Sequence, residues 1–122
     1  MKKVLIVEDE SALIEMFSSM VENSGEYKVI KALDGEEAIK KIIEYKPDII
    51  LLVIMLPKKD GIEVLLDVKS NPNTKKIPVI ILSNISDQNE IEKTLELGAS
   101  DYLIKAHIHL KDIPNIIEKY II

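Results

Sequence analysis

Glu8 and Asp9 are adjacent carboxylates that follow the apolar run Val4–Val7. Such a pair on a loop suits a hard cation such as Mg²⁺, which takes oxygen ligands and keeps several waters. Ser83 follows the run Ile77–Leu82, and Lys105 follows Tyr102–Ile104. A hydroxyl and an ammonium suit the oxygens of a phosphoryl group, whose charge they can neutralise. Each group alone has a plainer reading. Asp9, Glu10 or Ser11 can cap a helix, Ser83 can close a loop, and Lys105 can be solvated surface. Their common position at the ends of apolar runs gives them weight as a set. One further run end, Val53 in Pro47-Asp48-Ile49-Ile50-Leu51-Leu52-Val53-Ile54-Met55-Leu56-Pro57, offers neither a nucleophile nor a metal ligand. An acyl phosphate cannot form on valine. Together these residues read as a site for moving a phosphoryl group with its acceptor missing.

The elements that must position them alternate along the chain. Apolar runs at Val4–Val7, Lys28–Ala32, Ile49–Ile54, Ile77–Leu82 and Tyr102–Ile104 are mostly near-continuous and rich in Val and Ile, as strands buried on both faces should be. Between them lie segments with helical spacing. Leu13, Ile14, Phe17, Met20 and Val21 share a face, with Gly25 able to end the helix. Asp34-Gly35-Glu36-Glu37 is a capping-box start to a second helix. Asp60-Gly61 opens a third, Asp87 with Glu90 caps a fourth, and Leu110, Ile113, Ile116, Ile117 and Tyr120 make a fifth. Alternating strands and helices imply a parallel sheet covered on both faces, with right-handed crossovers. Ligands of such sheets bind beyond the carboxyl ends of the strands, at the switch in strand order.

Bulk properties narrow the classes. A chain of 122 residues with 47% hydrophobic and 30% charged residues is one globular domain, and residues 1–122 are read as that domain. Cysteine is absent, which removes disulfides and thiol chemistry. The four apolar residues after Met1-Lys2-Lys3 are too few for a signal peptide, and no run approaches the ~20 residues that cross a bilayer. A cytoplasmic location without membrane insertion is expected. The net charge is −5 with scattered lysines, so no basic stripe points to direct nucleic-acid contact. His107 and His109 are read as ordinary loop residues, and Lys58-Lys59 and Lys75-Lys76 as solvated loop charge.

The ordered set of motifs resembles the receiver domain of two-component response regulators over essentially the whole chain. The matching pieces are Val4-Leu5-Ile6-Val7-Glu8-Asp9-Glu10, Pro47-Asp48-Ile49-Ile50-Leu51-Leu52, Met55-Leu56-Pro57-Lys58-Lys59-Asp60-Gly61, Pro78-Val79-Ile80-Ile81-Leu82-Ser83 and Gly98-Ala99-Ser100-Asp101-Tyr102-Leu103-Ile104-Lys105. The resemblance implies a flavodoxin-like (βα)5 fold with strand order 2-1-3-4-5. It assigns Glu8, Asp9 and the Met55 backbone carbonyl to Mg²⁺, and Ser83 and Lys105 to the phosphoryl oxygens. It makes Tyr102 a switch aromatic, expected to rest outward when no phosphoryl group recruits Ser83. Two departures stand out. The family's phospho-accepting aspartate belongs at position 53, which is Val53, and the proline that usually follows the lysine is Ala106. A cis bond before a non-proline residue costs about 2.5–4 kcal/mol, so a trans peptide is expected at Lys105-Ala106.

The resulting expectation is a single-domain receiver that is not an enzyme and is phosphorylation-incompetent at position 53. Mg²⁺ binding is expected to be weak or absent. Expected partners are a histidine kinase or phosphotransfer protein, met by the first helix, and an output protein, met by the fourth helix, fifth strand and fifth helix. With no output domain after Ile122, the signal leaves by protein contact unless such a domain was removed. The otherwise complete residue set favours a recent or engineered loss of the acceptor. The alternative is a natural pseudo-receiver, a protein-binding module independent of phosphate. A flavodoxin-like cofactor carrier fits worse, because no Gly-rich or Ser/Thr-rich phosphate loop follows the first strand, and the chain has no tryptophan and one phenylalanine.

Overall fold

The computed structural model describes residues 1–121. Five strands, β1 (Lys2–Val7), β2 (Tyr27–Ala32), β3 (Ile49–Val53), β4 (Val79–Ser83) and β5 (Asp101–Ile104), form one parallel sheet in the order β2-β1-β3-β4-β5. Five α-helices alternate with them: α1 (Ser11–Asn23), α2 (Gly35–Tyr45), α3 (Gly61–Ser70), α4 (Gln88–Glu96) and α5 (Ile113–Tyr120). This is the expected flavodoxin-like arrangement. The order reverses at β1, between β2 and β3, so a crevice opens beyond the carboxyl ends of β1 and β3.

The sheet divides the core by the two-residue period of the strands. Leu5, Val7, Ile50, Leu52 and Ile81 face the side covered by Ala38 and Ile42 of α2 and Val64, Leu65 and Val68 of α3. Val4, Ile6, Leu51, Val53 and Leu82 face the other side, packed with Ile14, Phe17 and Val21 of α1 and Ile113 and Ile117 of α5. Every residue of β3 and β4 is buried, which accounts for their unbroken apolar runs.

Local chemistry sets the helix starts. The side chain of Asp34 accepts from the Glu37 N–H, that of Asp60 from the Glu63 N–H, and that of Asp87 from the N–H groups of Asn89 and Glu90. The Glu37 N–H bond holds the Asp34 carboxyl below its ordinary range against the opposing effect of burial, and Lys58 adds to the lowering. Gly25 takes φ +78° just past α1, where its N–H donates to the Glu22 carbonyl. Gly61 begins α3 so close to β3 that a Cβ there would fall on the Val53 carbonyl. That contact fixes where the loop leaves the strand.

Several boundaries differ from the apolar runs: β1, β2 and β5 begin one or two residues earlier, at Lys2, Tyr27 and Asp101, and β4 runs on to Ser83. β3 stops at Val53 because the Ile54 carbonyl turns to accept from the Gly61 N–H at 2.7 Å. β4 begins at Val79 because Pro78 has no N–H and Ile77 donates to the Thr74 carbonyl instead. The fifth helix does not include Leu110: residues Leu110–Asp112 make a 3₁₀ turn and α5 starts at Ile113. Pro114 sits in the first turn of α5, where a missing N–H is tolerated; further inside a helix it would break the ladder. The lysine loops also differ in part. Lys59 pairs with Asp67 at 2.5 Å and Lys58 with Asp34 at 3.7 Å, whereas Lys75 and Lys76 are exposed as expected.

Candidate functional site

A cleft of about 450 Å³ lies at the carboxyl edge of the sheet, and Glu8, Asp9, Val53, Met55, Ser83 and Lys105 all line it. The run ends singled out in the sequence therefore converge on one place. β1 delivers Glu8 and Asp9, β3 delivers Val53, β4 delivers Ser83, and Lys105 opens a 3₁₀ turn (Lys105–His107) immediately after β5.

Glu8 is the most enclosed of them. It is buried, its N–H donates to the Ala32 carbonyl at 3.1 Å, and both carboxylate oxygens are engaged. Oε1 accepts from Lys105 Nζ at 2.8 Å and Oε2 from the Glu10 N–H at 3.2 Å. The side chains of Glu8 and Lys105 are 2% and 21% exposed, so the pair is shielded from water on the glutamate side and only partly open on the lysine side. Burial of a carboxylate is costly unless it is paired and hydrogen-bonded, and Lys105 and Glu10 meet both conditions. Asp9 is exposed. Glu10 holds the N-cap position of α1 without a side-chain cap bond, so capping does not explain these acids.

Val53 is buried and packs with the α1/α5 side of the core while bordering the cleft. Ser83 is buried, and its Oγ accepts from the Ile85 N–H at 3.0 Å. Tyr102 is half-buried, packs against the α2/α3 side of the core, and donates its hydroxyl to the Ile85 carbonyl at 2.9 Å. The Ile85 carbonyl thus gives the phenol a backbone partner in the loop between β4 and α4. Ile85 is tied from both its N–H and its carbonyl. Sequence reasoning missed this residue, although the Ser83-Asn84-Ile85 spacing of a hydroxyl turn was visible. On the far side of β5, Tyr120 donates to Asp101 Oδ2 at 2.6 Å, joining α5 to the sheet. That bond, helped by burial and the Asp101 charge, pushes the Tyr120 phenol up to about 12. His107, which ends the 3₁₀ turn, and His109, in the loop after it, are both exposed. No peptide bond among the described residues is cis, so Lys105-Ala106 is trans as expected.

The geometry can be tested against a divalent cation. Both oxygens of Glu8 are taken, one of them by a cation already. Asp9 and the Met55 carbonyl remain, and among the described residues no group of three or more acidic or histidine side chains converges. As arranged, these residues do not fit a Mg²⁺ ion, which demands near-octahedral oxygen ligands.

The family model for the response regulator receiver domain matches residues 4–118. The chain belongs to that family. Within it, the receiver is 42% identical over 104 residues to the alkaline phosphatase synthesis transcriptional regulatory protein PhoP of Bacillus subtilis (strain 168). That match covers 85% of this chain and 42% of the relative, so the receiver spans less than half of that protein's length. Among solved structures it is similar to a response regulator from Chloroflexus aurantiacus, with 29% identity, TM-score 0.89, and coverage of 98% of this chain and 97% of the other. It is also similar to the Mn²⁺-bound form of response regulator Rcp1, with 31% identity, TM-score 0.86, and coverage of 99% and 95%. The receiver is thus a domain of two-component signalling, and no helix among its described residues is long and apolar enough to cross a membrane.

Proposed function

We propose that this receiver works by binding and not as an enzyme, and that it takes no phosphoryl group at position 53. The observation that carries this reading is the buried isopropyl group of Val53 at the end of β3, bordering a cleft otherwise lined by the expected polar residues. A phosphoryl group needs an oxygen nucleophile to receive it, and valine has none. Surface recognition survives the change. The first helix and adjoining loops remain for a histidine kinase or phosphotransfer protein, and α4, β5 and α5 for an output protein, in the cytoplasm. The transcriptional role in the name of the Bacillus relative belongs to a protein of which this chain matches under half. With net charge −5, the receiver is not proposed to touch DNA itself.

The test compares the protein as it stands with Val53→Asp. Both are incubated with acetyl phosphate and Mg²⁺ and examined by intact mass. Aspartate is close to valine in size, so the strand should accept it with little repacking. A carboxylate oxygen of the variant attacks phosphorus and acetate leaves, so the variant gains one base-labile phosphate, lost again on adding Asp9→Asn. The valine protein gains none. Phosphate on the valine protein overturns the reading. A folded aspartate variant that stays unmodified points instead to a site that has drifted beyond this one residue.

One observation favours a second reading, a pseudo-receiver independent of phosphate. Groups around the cleft are already held by partners within the chain: Lys105 by Glu8, and Ile85 by Ser83 and Tyr102. A ligand shifts such an equilibrium only by its differential affinity for the two states. On this reading the output partner binds the valine protein and the phosphorylated Val53→Asp variant equally well. On the first reading the phosphorylated variant binds more tightly.

A further inference from the structure

We propose that Lys105 takes, at Glu8, the charge-balancing place of a divalent cation, so that the closed ion pair itself keeps divalent metal out of the cleft. Three observations converge. Lys105 Nζ sits 2.8 Å from Glu8 Oε1, on a glutamate side chain only 2% exposed. The second oxygen of Glu8 is occupied by the Glu10 N–H at 3.2 Å, so the carboxylate has no oxygen left without a donor. The lysine is also steered. Lys105 lines the apolar groove formed by Leu13, Met16, Phe17, Ile108 and Leu110, which gives its methylene stem a surface to lie along while the ammonium reaches Glu8.

A metal ion entering at Glu8 would place two positive charges and the ammonium on one buried carboxylate, where poor screening makes repulsion strong. Mg²⁺ or Mn²⁺ binding therefore requires Lys105 to leave. Val53 sharpens the exclusion. An anionic residue there could draw the ammonium away from Glu8, whereas an isopropyl group leaves Glu8 as its partner in the cleft's interior. The metal competes with a tethered side chain of this chain, at an effective concentration set by the fold rather than by solution.

Cation binding is read at equilibrium on residues 1–122, so the outcome is independent of whether any phosphoryl group is ever accepted. Mn²⁺ is titrated into the unaltered protein, Lys105→Met and Lys105→Arg, and bound metal is measured by water-proton relaxation. Lys105→Met keeps the stem and removes the charge, and should bind Mn²⁺ about 10–100-fold more tightly, the usual reach of residues that act on a metal through its ligands. Lys105→Arg retains the cation and should stay as weak as the unaltered protein. Equal affinity in the unaltered protein and in folded Lys105→Met overturns the proposal. Should Lys105→Met not fold, Mn²⁺ broadening of backbone amide resonances in the unaltered protein decides. Sparing of Glu8, Asp9 and Met55 while other exposed acids broaden supports exclusion, and broadening of those three first overturns it.

Discussion

Replacing Val53 with aspartate should lower stability by about 2 kcal/mol in the absence of metal, within a range of roughly 1–3 kcal/mol. Val53 is 3% exposed, belongs to the buried cluster on the α1/α5 side, and lies beside Leu82 in the sheet register. Withdrawing a valine side chain from such a setting forfeits about 1.5 kcal/mol, the lower end for apolar side chains. The new carboxylate then meets the charges of the cleft. Glu8 and Lys105 have their charged atoms 2.8 Å apart and cancel to first order when seen from the third group. The residual repulsion comes from Asp9 and Glu10, both exposed. At a separation of ~6 Å with water-like screening, each contributes about 0.7 kcal/mol or less.

The assay is urea unfolding of both forms in EDTA, with equal slopes required before midpoints are compared. Addition of Mg²⁺ provides an internal control. Stabilisation by a ligand scales as RT ln(1 + [L]/Kd), so millimolar Mg²⁺ should raise the aspartate form and leave the valine form nearly unchanged. An aspartate form as stable as the valine form in EDTA would refute the reasoning. It would mean that Val53 contributes little packing, or that Lys105 turns from Glu8 to the new carboxylate at no cost.

Two further expectations concern groups outside the cleft. Asp34→Ala should cost about 1 kcal/mol by removing the cap of α2. Because the folded Asp34 carboxyl lies below its ordinary 3.8, the contribution of its charge is present above that value and is lost as pH falls through the lower folded value. Denaturation of the two forms should therefore converge in acid and separate near neutrality. Of the four tyrosines, Tyr120 should titrate late in an ultraviolet pH titration, near 12. Its folded value is raised above 10.0, so the stability it supplies is complete below pH 10 and fades as pH rises towards 12; Tyr120→Phe should remove both the late titration and that pH dependence. A Tyr120 that titrates at the ordinary 10.0 would mean the bond to Asp101 does not hold in solution.

The parts of this molecule legible in the sequence are those decided within a few residues or by simple periodicity. Asp34, Asp60 and Asp87 cap helices because the acceptor and the N–H groups it meets are two or three positions apart. β3 was legible as a strand because every one of its residues is buried. Convergence of Glu8, Val53, Ser83 and Lys105 followed from the rule for open parallel sheets, without any knowledge of side-chain direction. Direction is what stayed hidden. The partner of Lys105 lies 97 residues away, and the choice of Glu8 depends on burial that no local pattern encodes. The same holds for Tyr102, whose phenol reaches a backbone carbonyl 17 residues back. A carbonyl leaves no trace in residue type. The late start of α5 was readable in principle, since Pro114 belongs in a first turn; the helical spacing of Leu110 with Ile113 masked it.

Fold and chemistry come apart at Val53. The alternation of β3 directs Ile49, Leu51 and Val53 to the α1/α5 side, so the sheet demands an apolar or compact residue at the strand's last position. Valine meets that demand better than aspartate does, being β-branched and uncharged. Nothing in the packing of the sheet therefore holds an aspartate at this position, and the Gly61 contact to the Val53 backbone is indifferent to the side chain. An acceptor at this place would be a local departure from what the fold prefers, supported by a cation or an ammonium brought in from other strands. With valine at position 53 the Lys105 ammonium pairs with Glu8, which would otherwise be a buried charge without a cationic partner. A carboxylate introduced at position 53 should compete with Glu8 for Lys105 when a metal enters, whereas the stability difference in EDTA measures the lost packing together with repulsion from Asp9 and Glu10.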